Sequence, residues 1–437
     1  MPANHNVLLT ILPVFWPKMV PVGLGYLQCY LAKNNIKAEI LDLNNYFYNL
    51  ADEGLKREWL VSCNSTLENG ILSIIKDNYS KEIEAVVERL LGYGVLGFSC
   101  FKSNFKTTLE VAAILKSRRP DIKIIFGGPE ISRLFFKGNG KFDNEIMELA
   151  DFLVVGEGEK ALCEVFKERE NLVDKVIVFN ELADLRGLDF PIYEGIEFKD
   201  YPRKDALPVQ FSRGCIRKCA FCSERLLYKG FRRRQVDVVI DEIKYHRAKN
   251  KINYFVFFDS LINADLNALE DFCDGIIENF GSLNWEAQIA VRPDMPDGLF
   301  KKIKASGCYN LFVGLESGSD RTLKQMNKGF ISGEAVNFFR KLNNAGLFFG
   351  VSMIVGYPGE TDEDFKQSLD FIIRNKEIIP KIEQVNPFTY YEGTALDRKA
   401  DYKFNNKSLE RMEVFVREIK KYGFRYTNAF IGNLVEK

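Results

Sequence analysis

The sequence predicts an α/β protein built on two parallel sheets: an N-terminal doubly wound sheet, then a partial (β/α)6 barrel and a short helical C-terminal segment. Three observations carry this. Short apolar runs alternate with amphipathic segments along most of the chain, as the strands and helices of parallel sheets do. The series breaks at an irregular, proline-bearing stretch and then restarts. The second series holds six βα repeats, short of the eight that close a barrel. The expected parts are 1–175, a linker at 176–204, 205–400 and a helical extension at 401–437. A chain of 437 residues exceeds one ordinary core, in keeping with two or three domains.

In the first part, NVLLTIL (6–12), AEILDL (38–43), VLGFSC (95–100), KIIFGG (123–128) and DFLVVGEG (151–158) read as strands. Between them, 24–34 and 107–119 read as helices. Ligands of such sheets bind beyond the carboxyl ends of the strands, and those ends carry Ser99, Gly127, Gly128, Gly156 and Gly158. Turn glycine is the alternative reading of each. In the second part the strands fall at 208–213, 254–260, 284–291, 310–317, 349–358 and 383–391. Helices are expected at 236–249, 295–306, 333–345 and 362–376.

Composition narrows the function. Hydrophobic residues make up 46% and charged residues 27% of the chain, a globular balance. Lys plus Arg and Asp plus Glu both total 60, so no whole-chain field draws nucleic acid or an anionic membrane. The longest weakly polar run, 346–357, is too short for a membrane span. The first residues lack a basic segment and a cleavage site, so no signal peptide is expected. Nine cysteines, an odd number, fit reduced thiols in the cytoplasm better than a disulfide framework. With only two histidines, a His-rich metal centre cannot be assembled and a Ser/His or Cys/His pair has few candidates.

One stretch concentrates chemistry: FSRGCIRKCAFCS (211–223) holds Cys215, Cys219 and Cys222 in a C-x3-C-x2-C pattern directly after a strand. Thiolates are the ligands that iron–sulfur clusters require, and so short a loop lets three sulfurs converge on one face of a cubane. A structural zinc site would need a fourth ligand from elsewhere. The other six cysteines stand singly in strand-like or helix-like surroundings, where an inert buried thiol is expected.

This loop, with the aromatic Phe221 before its last cysteine, resembles the signature of radical S-adenosylmethionine (SAM) enzymes. Further segments match that superfamily in order. FFDS (257–260) is similar to the second-strand segment that meets the SAM amino group, here Asp259 and Ser260. Arg292 of AVRPD resembles the third-strand cation. VGLESGSD (313–320), with Glu316 and Ser317, matches the fourth-strand pattern. SMIVGYPGET (352–361), with Met353, Ile354, Val355 and Gly356, matches the segment whose backbone cradles adenine, and NPFTYYEGT (386–394), with Pro387, resembles the closing motif. SAM presents an ammonium, a carboxylate, a ribose diol and an adenine, which an acid, a base, a diol acceptor and an apolar backbone edge suit in turn. Each residue alone also has a plain reading, such as a surface ion pair or a turn. The resemblance implies a TIM-like radical SAM core over 205–400, a [4Fe-4S] cluster with one open iron, and cleavage of S-adenosyl-L-methionine to a 5′-deoxyadenosyl radical. The cofactors then carry the difficult chemistry and the protein positions them.

The first part resembles the cobalamin-binding domain that often precedes this core: a Rossmann-like fold over 1–175, with Ser99, Gly127, Gly128, Pro129, Gly156, Glu157 and Gly158 as the implied contacts of the cofactor. It departs from many cobalamin proteins in lacking D-x-H-x-x-G, since neither His5 nor His246 precedes a glycine by three residues. Arg213, Arg217, Lys218, Arg225 and Arg232–Arg234 cluster around the cysteine loop. They read as a solvated face, or as an entrance for an anionic or peptidic substrate or a dock for an acidic electron donor such as flavodoxin or ferredoxin. No nucleic-acid partner is expected.

The expected function is cobalamin-dependent methylation of an unactivated carbon in a small-molecule, peptide or lipid-type substrate. The alternatives are radical SAM rearrangement, cyclisation or deoxygenation without cobalamin, and, in another class, a zinc-stabilised binding protein. Substrate contacts share no transferable pattern, and 46–90 and 402–437 suggest none.

Overall fold

The computed structural model describes residues 7–63, 71–167, 174–178, 184–396 and 406–426. The chain divides into two compact units. The first comprises 1–206 with 226–228 and 248–251, and the second the remainder.

The first unit is built on a six-stranded sheet of β1 (Val7–Ile11), β2 (Ala38–Asp42), β3 (Val95–Ser99), β4 (Lys123–Gly127), β5 (Phe152–Val155) and β6 (Val176–Val178) in the order 2-1-3-4-5-6. Every neighbouring pair runs parallel. All five residues of β1 are buried, as a central strand covered on both faces requires. Alternate residues feed two cores. Leu8, Leu96, Phe98, Ile124 and Phe126 pack with Ala112 and Leu115 of the helix Phe105–Arg118. Val7, Leu9, Val95, Ile125 and Val154 pack with Leu24 and Leu31 of the helix Val22–Lys33. This period of two is what sends neighbouring side chains to opposite faces. The strand order reverses between β1 and β3, which opens a crevice at their carboxyl ends.

The stretch expected as a linker at 176–204 is instead part of this unit where it is described. Its first residues form β6 at the sheet edge. Leu185 and Leu188 bury against Tyr26, Gln28 donates to the carbonyls of Ala38 and Glu194 at 3.1 Å, and the Tyr201 hydroxyl donates to Asp42 at 2.8 Å. Its apolar residues lack a helical or strand period, so their burial left no mark in the sequence pattern.

The second unit holds β7 (Ala206–Val209), β8 (Ser212–Arg213), β9 (Arg232–Arg233), β10 (Tyr254–Phe257), β11 (Asn284–Ile289), β12 (Cys308–Glu316), β13 (Phe349–Val355), β14 (Lys381–Pro387) and β15 (Arg425–Tyr426). Seven of them form an open sheet in the order 15-14-13-12-11-10-7. From β10 to β15 each pair is parallel, which is the expected partial barrel with the short β15 added at its edge. Helices Val236–Asn250, Leu266–Phe280, Asp297–Ala305, Ser332–Asn344 and Asp362–Arg374 alternate with the strands. Phe257, Phe272 and Trp285 meet edge to face at 5.0–5.8 Å and anchor the core between β10, β11 and their helix.

The strand expected at 208–213 is split. Residues 206–209 stay in the sheet, while β8 leaves it to pair antiparallel with β9. Asp259 explains the break: it accepts the Phe211 amide at 3.0 Å and both the amide and the hydroxyl of Ser212. A side chain thereby replaces the ladder partners of the departing strand.

Candidate active site

The cysteine loop leaves β8 at the carboxyl edge of the second sheet, where catalytic groups of barrel folds gather. Gly214 starts it with φ +78°, and a Cβ there would run into the Gly230 carbonyl oxygen. Only glycine serves at such a point. The rest of the loop is tied to the segment after β12. The Ala220 amide donates to the Met326 carbonyl at 2.9 Å, Asn327 donates to the Lys218 carbonyl at 2.8 Å, and Arg217 reaches the carbonyls of Gly329 at 3.3 Å and Val291 at 2.6 Å.

Cys215, Cys219 and Cys222 are all half-buried, and their thiols lie within electrostatic reach of one another. Burial pushes the Cys215 thiol up and that of Cys222 to about 11, against which a bound metal would act. The Arg217 amide donates to the Cys215 sulfur at 3.4 Å, and the Glu224 amide donates to Cys222. Such N–H···S bonds favour thiolate. Among the described residues, no three His, Cys, Asp or Glu side chains close on one point as a single ion requires. Three separate thiols on one short loop, each partly open, fit a cluster face instead. The other cysteines lie apart: Cys100, Cys163, Cys273 and Cys308 are buried in the two cores, and Cys29 and Cys63 are half-buried in the first unit.

Of the remaining sequence-predicted residues of this unit, Phe221 lies in the loop and the others at or just past the carboxyl ends of strands, in differing environments. Phe221 packs into an aromatic pocket, 6.4 Å from the Tyr357 ring, which in turn meets Phe388 at 5.3 Å. Glu316 ends β12 with φ +73°, a costly conformation for a non-glycine residue and one that clusters at ligand sites. Its carboxylate is bracketed by the Ser352 hydroxyl at 3.1 Å and Lys328 Nζ at 3.4 Å. Met353 and Val355 are fully buried, Ile354 is half-buried beside Phe221 and Tyr357, and Gly356 turns the chain with φ +73°. Pro387 stands opposite Val355 in the register of β13 and β14.

Three predicted contacts are committed elsewhere. Asp259 is wholly buried and spends its oxygens on Phe211 and Ser212, and burial raises its carboxyl to about 7. Ser317 is buried and bonded to Ser368 at 2.9 Å. The Arg292 guanidinium serves the carbonyls of Asn263 and Ala264 at 2.8 and 2.9 Å and the Asp294 carboxylate at 3.0 Å. Arg292 also lines an open cleft of about 430 Å³ with Phe231, Ala264, Asp265, Leu266 and Asn267. Phe231 and Cys215 both pack against the small cluster of Leu261, Ala264 and Ala290, so the cleft adjoins the loop. Ser260 donates its hydroxyl to Glu224.

Glu224 and Lys328 were not singled out from sequence. Glu224 lies two residues past the last cysteine, and burial raises its carboxyl. Lys328 is nearly buried, its ammonium 5.9 and 5.8 Å from the Phe221 and Phe330 ring centres. The basic run is only partly a solvated face. Arg213 is buried and bonded to Gln210 at 2.8 Å, Arg233 pairs with Asp265 at 2.9 Å, and Arg234 forms a buried pair with Glu242 at 2.5 Å.

In the first unit, Ser99, Gly127 and Gly128, Gly156 to Gly158, and Pro129 sit at the carboxyl ends of β3, β4 and β5. Gly128 has φ +101° and presses on the Cys100 backbone, and Pro129 begins the helix Pro129–Lys137. Gly156 has φ +90° with open space where a Cβ would stand, and its amide donates to Ser132 at 2.9 Å. Gly158 begins the helix Gly158–Lys167, and Glu157 precedes it half-exposed. At the switch point, Phe15 and Phe101 meet at 4.3 Å. This is a flat, small-residue edge suited to a large planar ligand.

Residues 209–372, nearly all of them in the second unit, match the family model of the Radical SAM superfamily. The chain is 26% identical over 332 residues to an uncharacterized methyltransferase of Pyrococcus horikoshii, an alignment covering 69% of this chain and 68% of that protein. Its fold is similar to that of OxsB, a cobalamin-dependent S-adenosylmethionine radical enzyme solved with aqua-cobalamin and S-adenosylmethionine (TM-score 0.66, 16% identity, 96% of this chain and 56% of that one). It is similar also to TsrM, a radical S-adenosylmethionine methyltransferase from Kitasatospora setae (TM-score 0.68, 15% identity, 90% and 76%). The chain thus spans little more than half the length of OxsB. Among the described residues, no helix is long and apolar enough to cross a membrane.

Proposed function

We propose that this chain is a cobalamin-dependent radical SAM methyltransferase acting on an unactivated carbon of a natural-product, peptide or lipid-type substrate. The observation that carries the reading is the three-thiol loop tied to the segment that follows the left-handed Glu316. Cys215, Cys219 and Cys222 would hold a [4Fe-4S] cluster. When bound, that cluster supplies the electron that splits SAM into methionine and a 5′-deoxyadenosyl radical.

Glu316 suits the ribose diol, because it is a carboxylate at the end of β12 on a left-handed backbone of the kind that clusters at ligand sites. Met353 to Gly356, Pro387 and Phe221 offer an apolar backbone edge and an aromatic rim for adenine. Asp259 is taken up by the backbone, so the ammonium finds its acceptor in the Glu224–Ser260 pair beside Cys222. The buried aromatic pocket around Phe221 excludes water from the reacting end. The strand ends at Ser99, Gly127 to Pro129 and Gly156 to Gly158 would hold cobalamin, with no histidine ligand from the first unit's described residues.

Anaerobic reconstitution with iron, sulfide and hydroxocobalamin tests this. The expected protein carries iron, acid-labile sulfide and about one cobalt per chain. Iron without cobalt would leave radical SAM rearrangement, cyclisation or deoxygenation as the activity. A colourless protein with zinc and no sulfide would remove the enzyme reading altogether.

A further inference from the structure

Lys328 has no role in the chemistry proposed above, yet it is a buried cation beside the cysteine loop. Its residue is 9% exposed. The ammonium stands 3.4 Å from Glu316 and lies over two aromatic faces, Phe221 at 5.9 Å and Phe330 at 5.8 Å. Phe221 is the residue just before Cys222, and the Met326 and Asn327 backbone and side chain are bonded to the cysteine loop. The lysine is therefore fixed against that loop by its own segment. Three neighbouring arginines are spent on neutral or acidic groups: Arg213 on Gln210, Arg217 on two carbonyls, and Arg292 on two carbonyls and Asp294.

A desolvated lysine is costly to keep charged unless something uses the charge. Cation–π contacts and Glu316 retain it.

We propose that the Lys328–Glu316 pair sets the reduction potential of the cluster held by Cys215, Cys219 and Cys222, with Lys328 raising it and Glu316 lowering it. This rests on the [4Fe-4S] reading above. Reduction adds one electron to a site already carrying three thiolates. A fixed positive charge in low dielectric favours that added charge, and a fixed negative charge opposes it. This effect runs through the cluster and is read without SAM, so it is separate from the ribose contact proposed for Glu316.

The test is potentiometric titration of the full chain, reconstituted anaerobically, with the reduced cluster read by EPR. Lys328→Gln should move the midpoint to more negative potential, Glu316→Gln to more positive potential, and Lys328→Arg should stay near wild type. Because the pair is buried, the shifts should persist at high salt. A structural role alone gives no such opposed signs. Unmoved midpoints, or shifts of the same sign in Lys328→Gln and Glu316→Gln, overturn the inference. Should Lys328→Gln fail to load iron, the Glu316→Gln and Lys328→Arg midpoints still decide it. A wild type that loads no iron and sulfide defeats the cluster reading itself, a distinct outcome.

Discussion

Arg411, on the helix Asn406–Lys421, holds Glu360 at 2.6 Å, and the same carboxylate oxygen accepts the Gly356 amide at 2.7 Å. The last long helix is thereby bolted to the glycine turn after β13. Ser408 of that helix adds a bond to the Gly356 carbonyl at 3.4 Å.

Removing one partner of this buried pair strands the other. Arg411→Met should destabilise the second unit by about 3–5 kcal/mol, while the double variant Arg411→Met/Glu360→Gln should recover much of the loss. Denaturant unfolding of the single and double variants measures this. If the turn after β13 holds adenine, SAM affinity by equilibrium dialysis should fall with the single variant too.

Two glycines at the cysteine loop should behave differently. Both have φ above +70°, but a Cβ at Gly214 would meet the Gly230 carbonyl, whereas a Cβ at Gly230 would meet nothing within 4 Å. Gly230→Ala should cost about 1–2 kcal/mol and leave cluster loading intact. Gly214→Ala should cost more and lower the iron content, because backbone cannot yield as a side chain can. Iron analysis beside unfolding curves distinguishes the two.

Asp259 makes a pH prediction. Burial raises its carboxyl to about 7, above the ordinary carboxylate range, so between about pH 4 and 7 the folded chain keeps a proton that the unfolded chain releases. Linkage then makes this group's contribution fall as pH rises through that window and level off above it. The stability difference between wild type and Asp259→Asn should accordingly favour wild type most near pH 4 and shrink toward pH 7. Denaturant titrations at several pH values check the slope, and a difference that is flat or grows with pH would contradict it.

Much of this was legible from sequence. The strands β1 to β5 and β10 to β14 announce themselves by short apolar runs between amphipathic helices, and the cysteine spacing carries the site. What escaped was direction and long-range pairing. FFDS identifies the end of a strand, but not that Asp259 turns inward to receive Phe211 and Ser212. Arg292 has the expected type and place, yet nearby carbonyls occupy it. Nothing local in NKG places Lys328 between two rings. Arg411 and Glu360 are 51 residues apart, and β15 is two residues long. Neither leaves a periodic signal.

The 215–222 loop is proposed to hold a cluster that cleaves SAM. The most direct test is 5′-deoxyadenosine formation by the anaerobically reconstituted full chain under dithionite, in wild type, Cys219→Ala and Cys273→Ala. Wild type and Cys273→Ala should form 5′-deoxyadenosine, and Cys219→Ala should form none. Wild type that holds iron and sulfide but forms no 5′-deoxyadenosine, or Cys219→Ala that forms it at the wild-type rate, would contradict this assignment.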